Sequence, residues 1–120
     1  MTPEDSTSLH PSFLVAVNDP LVALDITTTL GEAHPGARIA TAEDRPSAQA
    51  LLAQMPRLAL AVVSLSPKDA VSSDFGQALR QTGARLVLMG LDAEEHGEAD
   101  GYEVLHRPFR TEDLLALISR

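Results

Sequence analysis

The sequence predicts an α/β fold, a single doubly wound parallel sheet of five strands with helices on both faces. Apolar runs alternate with helix-like segments along the whole chain. The run from Leu58 to Pro67, LALAVVSLSP, is almost continuously apolar, which is typical of a strand buried on both faces. The connections are short, so each strand and the next form a unit with a right-handed crossover through the helix between them.

Composition limits the chain to one ordinary globular domain. The 120 residues are enough for a single core. A hydrophobic content of 44% with a mean hydropathy of +0.01 excludes a disordered chain. Aromatic residues are only 3% of the chain, so the core must be aliphatic. The absence of cysteine excludes disulfides and thiolate metal sites, and it fits a reducing compartment.

The charge balance argues against nucleic acid as a partner. Nine Lys and Arg residues against 17 Asp and Glu residues give a net charge of −8, which a phosphate backbone would repel. The first residues, MTPEDSTSLHPS, are acidic and polar, unlike a signal peptide. No apolar run approaches the roughly 20 residues of a membrane span. We therefore expect a cytoplasmic domain over residues 13–120, preceded by a flexible arm over residues 1–12.

Five segments are predicted as strands because they are short, apolar and bounded by turn residues. They are Phe13–Val17, Ala37–Thr41, Leu58–Pro67, Arg85–Leu91 and Tyr102–His106.

Helix signals follow the first two strands. Asp19 suits the N-cap and Pro20 the first position of a helix that stops before His34. Its apolar stripe is predicted to include Leu21, Leu24 and Thr28, with Ile26 and Leu30 nearby. A second helix is predicted to start at Glu43-Asp44-Arg45-Pro46 and to end at Pro56.

The second half of the chain gives weaker helix signals. We expect Lys68–Ala70 to be a loop and either Ser72 or Ser73 to cap a third helix closed by Gly83. The stretch from Asp92 to Asp100 is acidic and contains Gly97, which predicts a fourth helix that is short, frayed or missing. Thr111 is predicted to cap the last helix, with Glu112 and Asp113 well placed in its first turn.

Four segments resemble the receiver domain of bacterial response regulators: FLVAVNDPLV, LAVVSLSP, LVLMG and VLHRPF. The resemblance runs from Phe13 to Arg120. Its most specific part is His106-Arg107-Pro108-Phe109, where the family has a lysine, a cis-linked proline and a phenylalanine. The resemblance implies a flavodoxin-like sheet with strand order 2-1-3-4-5 and a cis bond before Pro108.

The family transfers a phosphoryl group to an aspartate at the end of the third strand. Two acidic residues after the first strand hold Mg²⁺ there, and in this chain their positions fall on Val17 and Asn18, next to Asp19. The acceptor position falls on Ser64, or on Val63 if the loop to Pro67 is aligned without a gap. The pocket implied by the resemblance therefore lacks the acceptor carboxylate and the acidic pair.

Two further positions also depart from the family. The position of its threonine or serine falls on Gly90, which has no hydroxyl, and that of its lysine falls on Arg107. Because Mg²⁺ requires hard oxygen ligands, one carboxylate gives the pocket little affinity, and we expect no metal and no cofactor. The Ser64 hydroxyl would need a general base to react, and none is evident. We hypothesise that Arg107 pairs with Asp19 in place of a metal.

The histidines give no metal-binding pattern. None of them pairs as HxxxH or HExxH, the spacings that ligation favours. They are His10, His34, His96 and His106.

The family's output surface consists of the fourth helix, the fifth strand and the fifth helix. In this chain the fourth-helix stretch is acidic and about one helical turn shorter than in typical receivers, which suggests an altered and basic partner. The expected interaction surface is drawn from Tyr102, Val104, Leu114, Leu117 and Ile118, some of which must be core residues that the sequence does not separate from the rest.

The sequence therefore predicts a pseudo-receiver, a non-enzymatic module that works by protein–protein contact without phosphorylation. The partner would be a histidine kinase, another regulator or a second copy in a homodimer. One alternative is an atypical receiver that still accepts a phosphoryl group from a histidine kinase, on Asp19 or Asp69. A flavodoxin-like binder of small molecules ranks last, because Asn18-Asp19-Pro20 stands where a glycine-rich phosphate loop would be.

Overall fold

The computed structural model describes residues 11–119. Its single sheet contains β1 (Ser12–Ala16), β2 (Arg38–Thr41), β3 (Leu58–Ser64), β4 (Arg85–Met89) and β5 (Glu103–Val104). All neighbouring strands are parallel, in the order β2-β1-β3-β4-β5. The predicted fold class and strand order are confirmed.

Helices connect the strands. They are α1 (Pro20–Ala33), α2 (Arg45–Leu52), α3 (Pro67–Ser72), α4 (Asp74–Gln81) and α5 (Thr111–Ile118), and a π-helical turn spans Ala93–Gly97. The predicted start of α1 is confirmed, since the Asp19 carboxylate accepts hydrogen bonds from the N–H groups of Leu21 and Val22 at 2.9 and 3.4 Å. In the stretch from Asp92 to Asp100, where the sequence predicted a short, frayed or missing helix, the structure has only the π-helical turn. The prediction of a short element there is also confirmed.

Two helix starts differ from the prediction. Lys68–Ala70 was expected as a loop but lies in α3, because the Ser66 hydroxyl accepts from the Asp69 N–H at 3.1 Å and Pro67 occupies the first turn. A second helix, α4, begins directly after Ser73, whose hydroxyl accepts from the Gly76 N–H at 3.0 Å. Ser73 rather than Ser72 is therefore the cap.

The last helix begins one residue earlier than expected. Arg110 is the N-cap of α5, and Thr111 is its first helical residue. The Asp113 carboxylate accepts from the Arg110 backbone N–H at 2.9 Å. The acidic first turn was correctly placed, but its aspartate, rather than the Thr111 hydroxyl, satisfies the free N–H group.

The core lies on both faces of the sheet. Leu14, Val63 and Leu88 pack with α2 and α4 on one face, and the other face packs against α1 and α5. The predicted apolar stripe of α1 was wrong for its three main residues, although Ile26 and Leu30, placed beside it, are buried. Leu21 and Leu24 are 75% and 61% exposed, and Thr28 is exposed as well, whereas a different set of α1 residues faces the sheet. The buried residues of α1 are Ile26, Thr29 and Leu30.

The strand ends also differ slightly from the prediction. Ser12 was assigned to the arm but is the first residue of β1, paired with Arg38 and Leu58. β5 contains only Glu103 and Val104 instead of Tyr102–His106. Residues 1–10 of the predicted arm lie outside the described residues. Within residues 11–119, no helix has the length and apolar character needed to cross a membrane.

Candidate functional site

The carboxyl ends of β1, β3 and β4 meet at an open cleft of about 270 Å³. Parallel strands place the residues that follow them at the same edge of the sheet, where doubly wound folds bind their ligands. Three of the six predicted pocket residues, Asn18, Ser64 and Gly90, line it, whereas Val17, Asp19 and Arg107 do not. The lining consists of Asn18, Arg45, Ser64, Leu65, Ser66, Asp69, Met89, Gly90, Leu91, Asp92 and Ala93.

Ser64, at the acceptor position, is tied to the neighbouring strand end. Its side chain accepts a hydrogen bond from the Asn18 backbone N–H, with 3.2 Å between N and Oγ. Ser64 itself is half-buried. Val63, the other candidate for this position, is fully buried among core side chains and does not line the cleft. Ser64 is therefore the residue that the fold presents at the end of β3.

The two positions that the resemblance implies for an acidic pair, Val17 and Asn18, lie in different environments. Val17 is 4% exposed and packs in the core with residues of α1 and α5. Asn18 is exposed and lines the cleft. Asp19 follows, and its carboxylate is used to cap α1. The cleft thus has neither of the paired carboxylates that would hold a divalent cation.

Gly90 has a backbone conformation that suits glycine alone. Its φ is +117°, a value that residues with a Cβ rarely adopt. An added Cβ would meet no atom within 4 Å, so the constraint lies in the backbone and not in crowding. The local backbone conformation therefore disfavours serine or threonine, the residues that the resemblance implies for this position.

Arg107 is held by Glu94 of the π-helical turn. Its Nε donates to Oε2 at 2.9 Å, its Nη2 to Oε1 at 3.3 Å, and its backbone N–H to Oε2 at 3.0 Å. These hydrogen bonds lower the pKa of Glu94 and raise that of Arg107. The hypothesised pairing with Asp19 was wrong, although the Asp19 charge also raises the pKa of Arg107 slightly. The Arg107–Pro108 peptide bond is cis, as the resemblance implied.

An ion pair between Arg45 and Asp69 lies at the cleft itself and was not foreseen. Arg45, at the start of α2, contacts Asp69 of α3, with Nη2 and Oδ2 2.7 Å apart. Both side chains are partly exposed. Asp69 had been interpreted as a loop or capping residue. The Ser66-Pro67 helix start could have placed it near the sheet edge, but no sequence signal identified Arg45 as its partner.

The predicted interaction surface is only partly available. Leu114 and Leu117 are 1% and 6% exposed and belong to the core, so they are corrected from surface to core residues. α5 buries this side against the sheet because they lie one turn apart on the same helical face. Tyr102, Val104 and Ile118 are half-buried. The large apolar residues that are exposed lie elsewhere: Leu21, Leu24, Val71, Leu91 and Leu115.

The acidic stretch packs closely against β5. Gly97 is buried, and a Cβ added to it would lie 2.5 Å from Cγ2 of Val104. Glu98 contacts His106, with 2.8 Å between Oε1 and Nε2. Gly97 had been interpreted as a helix interruption, but it is a position of close packing. Within residues 11–119, no three His, Asp or Glu side chains are grouped so as to hold a metal ion.

Comparison with known proteins gives a fold but no sequence family. No protein-family profile matches the chain, and no curated protein matches it in sequence. Solved structures do match. The chemotaxis response regulator CheY4 of Vibrio cholerae is 21% identical with a TM-score of 0.67, and the match covers 92% of this chain and 98% of that one.

Two further receivers match in the same way. A response regulator receiver domain protein from Bacillus halodurans is 17% identical with a TM-score of 0.62, covering 92% of this chain and 95% of that one. A CheY-like receiver domain protein from Methanospirillum hungatei is 19% identical with a TM-score of 0.63, covering 89% and 90%. At these identities the likeness establishes the fold, which is that of the CheY-like receiver domains.

Proposed function

We propose that this chain is a pseudo-receiver, a receiver-like module of two-component signalling that acts by protein contact without being phosphorylated. The observation that carries the proposal is the state of the cleft at the end of β3. Ser64 stands at the acceptor position and accepts a hydrogen bond from Asn18. An acyl phosphate requires an attacking carboxylate, and a neutral hydroxyl without a base cannot replace it.

Three other features of the site support the proposal. Val17 is a core residue and Asp19 a helix cap, so neither supplies a free carboxylate for Mg²⁺. Gly90 lacks the hydroxyl that would bond a phosphoryl group and has φ +117°. Arg107 is engaged by Glu94. The positions implied for Mg²⁺ binding, for the hydroxyl and for the free cation therefore all differ from those of a phosphorylated receiver. We propose that the module binds neither Mg²⁺ nor another cofactor and is not an enzyme.

The partner is proposed to be a protein, either a histidine kinase, another regulator or a second copy of the chain. The net charge of −8 favours a basic contact surface on that partner and disfavours nucleic acid. Tyr102, Val104 and Ile118 remain candidates for the contact, although each is half-buried. Leu21 and Leu91, 75% and 64% exposed, offer more apolar surface.

A titration with Mg²⁺ and beryllofluoride, followed by amide NMR, tests the proposal. Beryllofluoride mimics a phosphoryl group on an aspartate, so a pocket without the acceptor should not bind it. We expect no saturable shifts at Asn18, Ser64 or Arg107. Saturable shifts there that spread to residues 102–118 would show a working switch and would overturn the proposal. Ser64→Asp is the matched variant that restores one carboxylate, and it shows how much response that group alone supplies.

One observation favours the alternative, an atypical receiver that still accepts a phosphoryl group. Asp69 lines the same cleft as Ser64, where its carboxylate contacts Arg45. Incubation with a small acyl phosphate and Mg²⁺, followed by intact-mass measurement, separates the two functions. The pseudo-receiver gains no mass. A gain of one phosphoryl group that disappears in Asp69→Asn, or in Asp19→Asn, would establish the alternative.

A further inference from the structure

The π-helical turn is a short element with a small buried face. It spans five residues, two of which, Ala93 and Gly97, are buried, and no side chain caps its start. The strand that follows has only two residues. Short helical elements of this kind are marginally stable by themselves. We therefore expect side-chain contacts on the exposed side of the turn to add to the buried ones in fixing its position.

Two such contacts join the turn to the connection between β5 and α5. Glu94 accepts three hydrogen bonds from Arg107, one of them from the backbone N–H. Glu98, one turn further along, contacts His106 at 2.8 Å. Consecutive residues of the connection are thus held by carboxylates four positions apart, which lie on one side of a helical turn.

The Glu94–Arg107 contact is the stronger of the two. The Glu94 side chain is only 17% exposed against 67% for Glu98, while their partners Arg107 and His106 are about equally exposed, at 50% and 49%. Charge-assisted bonds in a side-on, two-point arrangement are stronger and more directional than single exposed pairs. The backbone bond also fixes the main chain just before Pro108, a residue that cannot donate a hydrogen bond itself.

We infer that Glu94 and Arg107 form an intramolecular lock that fixes the π-helical turn against the β5–α5 connection in one conformation. The inference rests on the proposed function, because it gives this module a fixed output face that does not depend on phosphorylation.

Hydrogen exchange of individual amides tests the lock. The Tyr102 N–H bonds to the Gly97 carbonyl at 2.9 Å and the Gly101 N–H to the Glu98 carbonyl at 3.1 Å, so both report opening of the turn. In Glu94→Gln we expect these two amides to exchange about fivefold faster, the effect of losing a pair of this strength. The Ala42 N–H, bonded to the Val15 carbonyl in the sheet, serves as the unaffected reference.

Glu95→Gln is the matched control. It removes the same charge from the neighbouring residue, whose exposed carboxylate lies 3.7 Å from the His96 imidazole. Exchange in Glu95→Gln should stay within about twofold of the unmodified protein, since exposed pairs at this distance contribute little. Arg107→Lys keeps the charge and the backbone bond but loses the two-point contact, so its exchange should fall between the two.

Two outcomes overturn the lock. One is equal exchange in Glu94→Gln and Glu95→Gln. The other is acceleration that extends to Ala42, which would indicate general destabilisation and no local release. Neither outcome affects the beryllofluoride test, which uses the unmodified protein. A lock that holds in a protein that still responds to beryllofluoride would contradict the proposed function and leave the lock standing.

Discussion

The body of β3 and its carboxyl end have been subject to different constraints. Leu60, Ala61, Val62 and Val63 are between 0% and 4% exposed and form a continuous apolar run typical of receivers. One residue further on, Ser64 is a half-buried polar residue whose hydroxyl accepts a hydrogen bond from the Asn18 N–H. The body is constrained by burial on both faces, which any well-packed aliphatic set satisfies. The end is constrained by chemistry, and residues there can change without loss of the fold.

The largest effect should come from the core. Leu14 in β1 is fully buried, and Leu14→Ala should lower the free energy of unfolding by about 2–5 kcal/mol through lost burial and the cavity left behind. Leu24→Ala, at a 61% exposed site of α1, is the matched control and should change stability by about 0.5 kcal/mol or less. Urea denaturation of the two variants measures the difference. Comparable losses would mean that the outer face of α1 is covered in solution.

A smaller effect is expected where the acidic stretch meets β5. Gly97→Ala places a methyl group 2.5 Å from Cγ2 of Val104, whose β-branched side chain has little freedom to move, and overpacking of this kind costs about 1–3 kcal/mol. Gly31→Ala is the control, because its added Cβ would lie 3.8 Å from Ile39 in ordinary contact and alanine favours the helix. Thermal unfolding should show Gly97→Ala less stable and Gly31→Ala equal or more stable.

The cause of a destabilised Gly97→Ala can be assigned with a second substitution. Val104→Ala removes the methyl group that would collide. The double variant should recover part of the loss relative to the sum of the two single variants, as expected for residues in direct contact. Strict additivity of the two losses would place the cause elsewhere.

Placing a side chain at Gly90, at the end of β4, should cost stability too. Gly90→Ser introduces the missing hydroxyl at φ +117°, at a cost of about 1–2 kcal/mol from backbone strain. Gly90→Ala should cost as much as Gly90→Ser, because the penalty comes from the Cβ and not from the hydroxyl. A loss in Gly90→Ser alone would mean that burying the hydroxyl, rather than the backbone, is responsible. Chemical denaturation of both variants separates these causes.

The sequence predicted the scaffold because burial leaves a strong pattern. The run LALAVVSLSP and the Asp19-Pro20 helix start each specify local structure directly. The partners of charged residues leave no such pattern. Arg107 was expected to form an ion pair with Asp19, yet its partner is Glu94. The π-helical turn places the Glu94 carboxylate next to the β5–α5 connection, where Arg107 lies.

The sequence also did not predict which side of each helix faces the core. Leu114 and Leu117 were expected at the surface, and Leu21 and Leu24 were placed on the inward stripe of α1. Both helices carry apolar residues on more than one side, so periodicity alone does not choose the buried face. Only the position of each helix on the sheet decides it.

The smallest effect is a pH dependence that belongs to Glu94. Hydrogen bonds from Arg107 lower the pKa of this carboxyl below its ordinary value of 4.5, and the charges of Arg107 and His106 act in the same direction. A carboxyl with a lowered folded-state pKa stabilises the folded protein fully above its ordinary pKa. That contribution is lost as the pH falls below 4.5 and through the lower folded-state value. Amide shifts of Arg107 followed in this range should report the titration, and Glu94→Gln should remove it. A titration midpoint at or above 4.5 would show that the contact between Glu94 and Arg107 is not maintained in solution. The π-helical turn would then not be fixed by this contact, in contrast to the strands, which are fixed by burial.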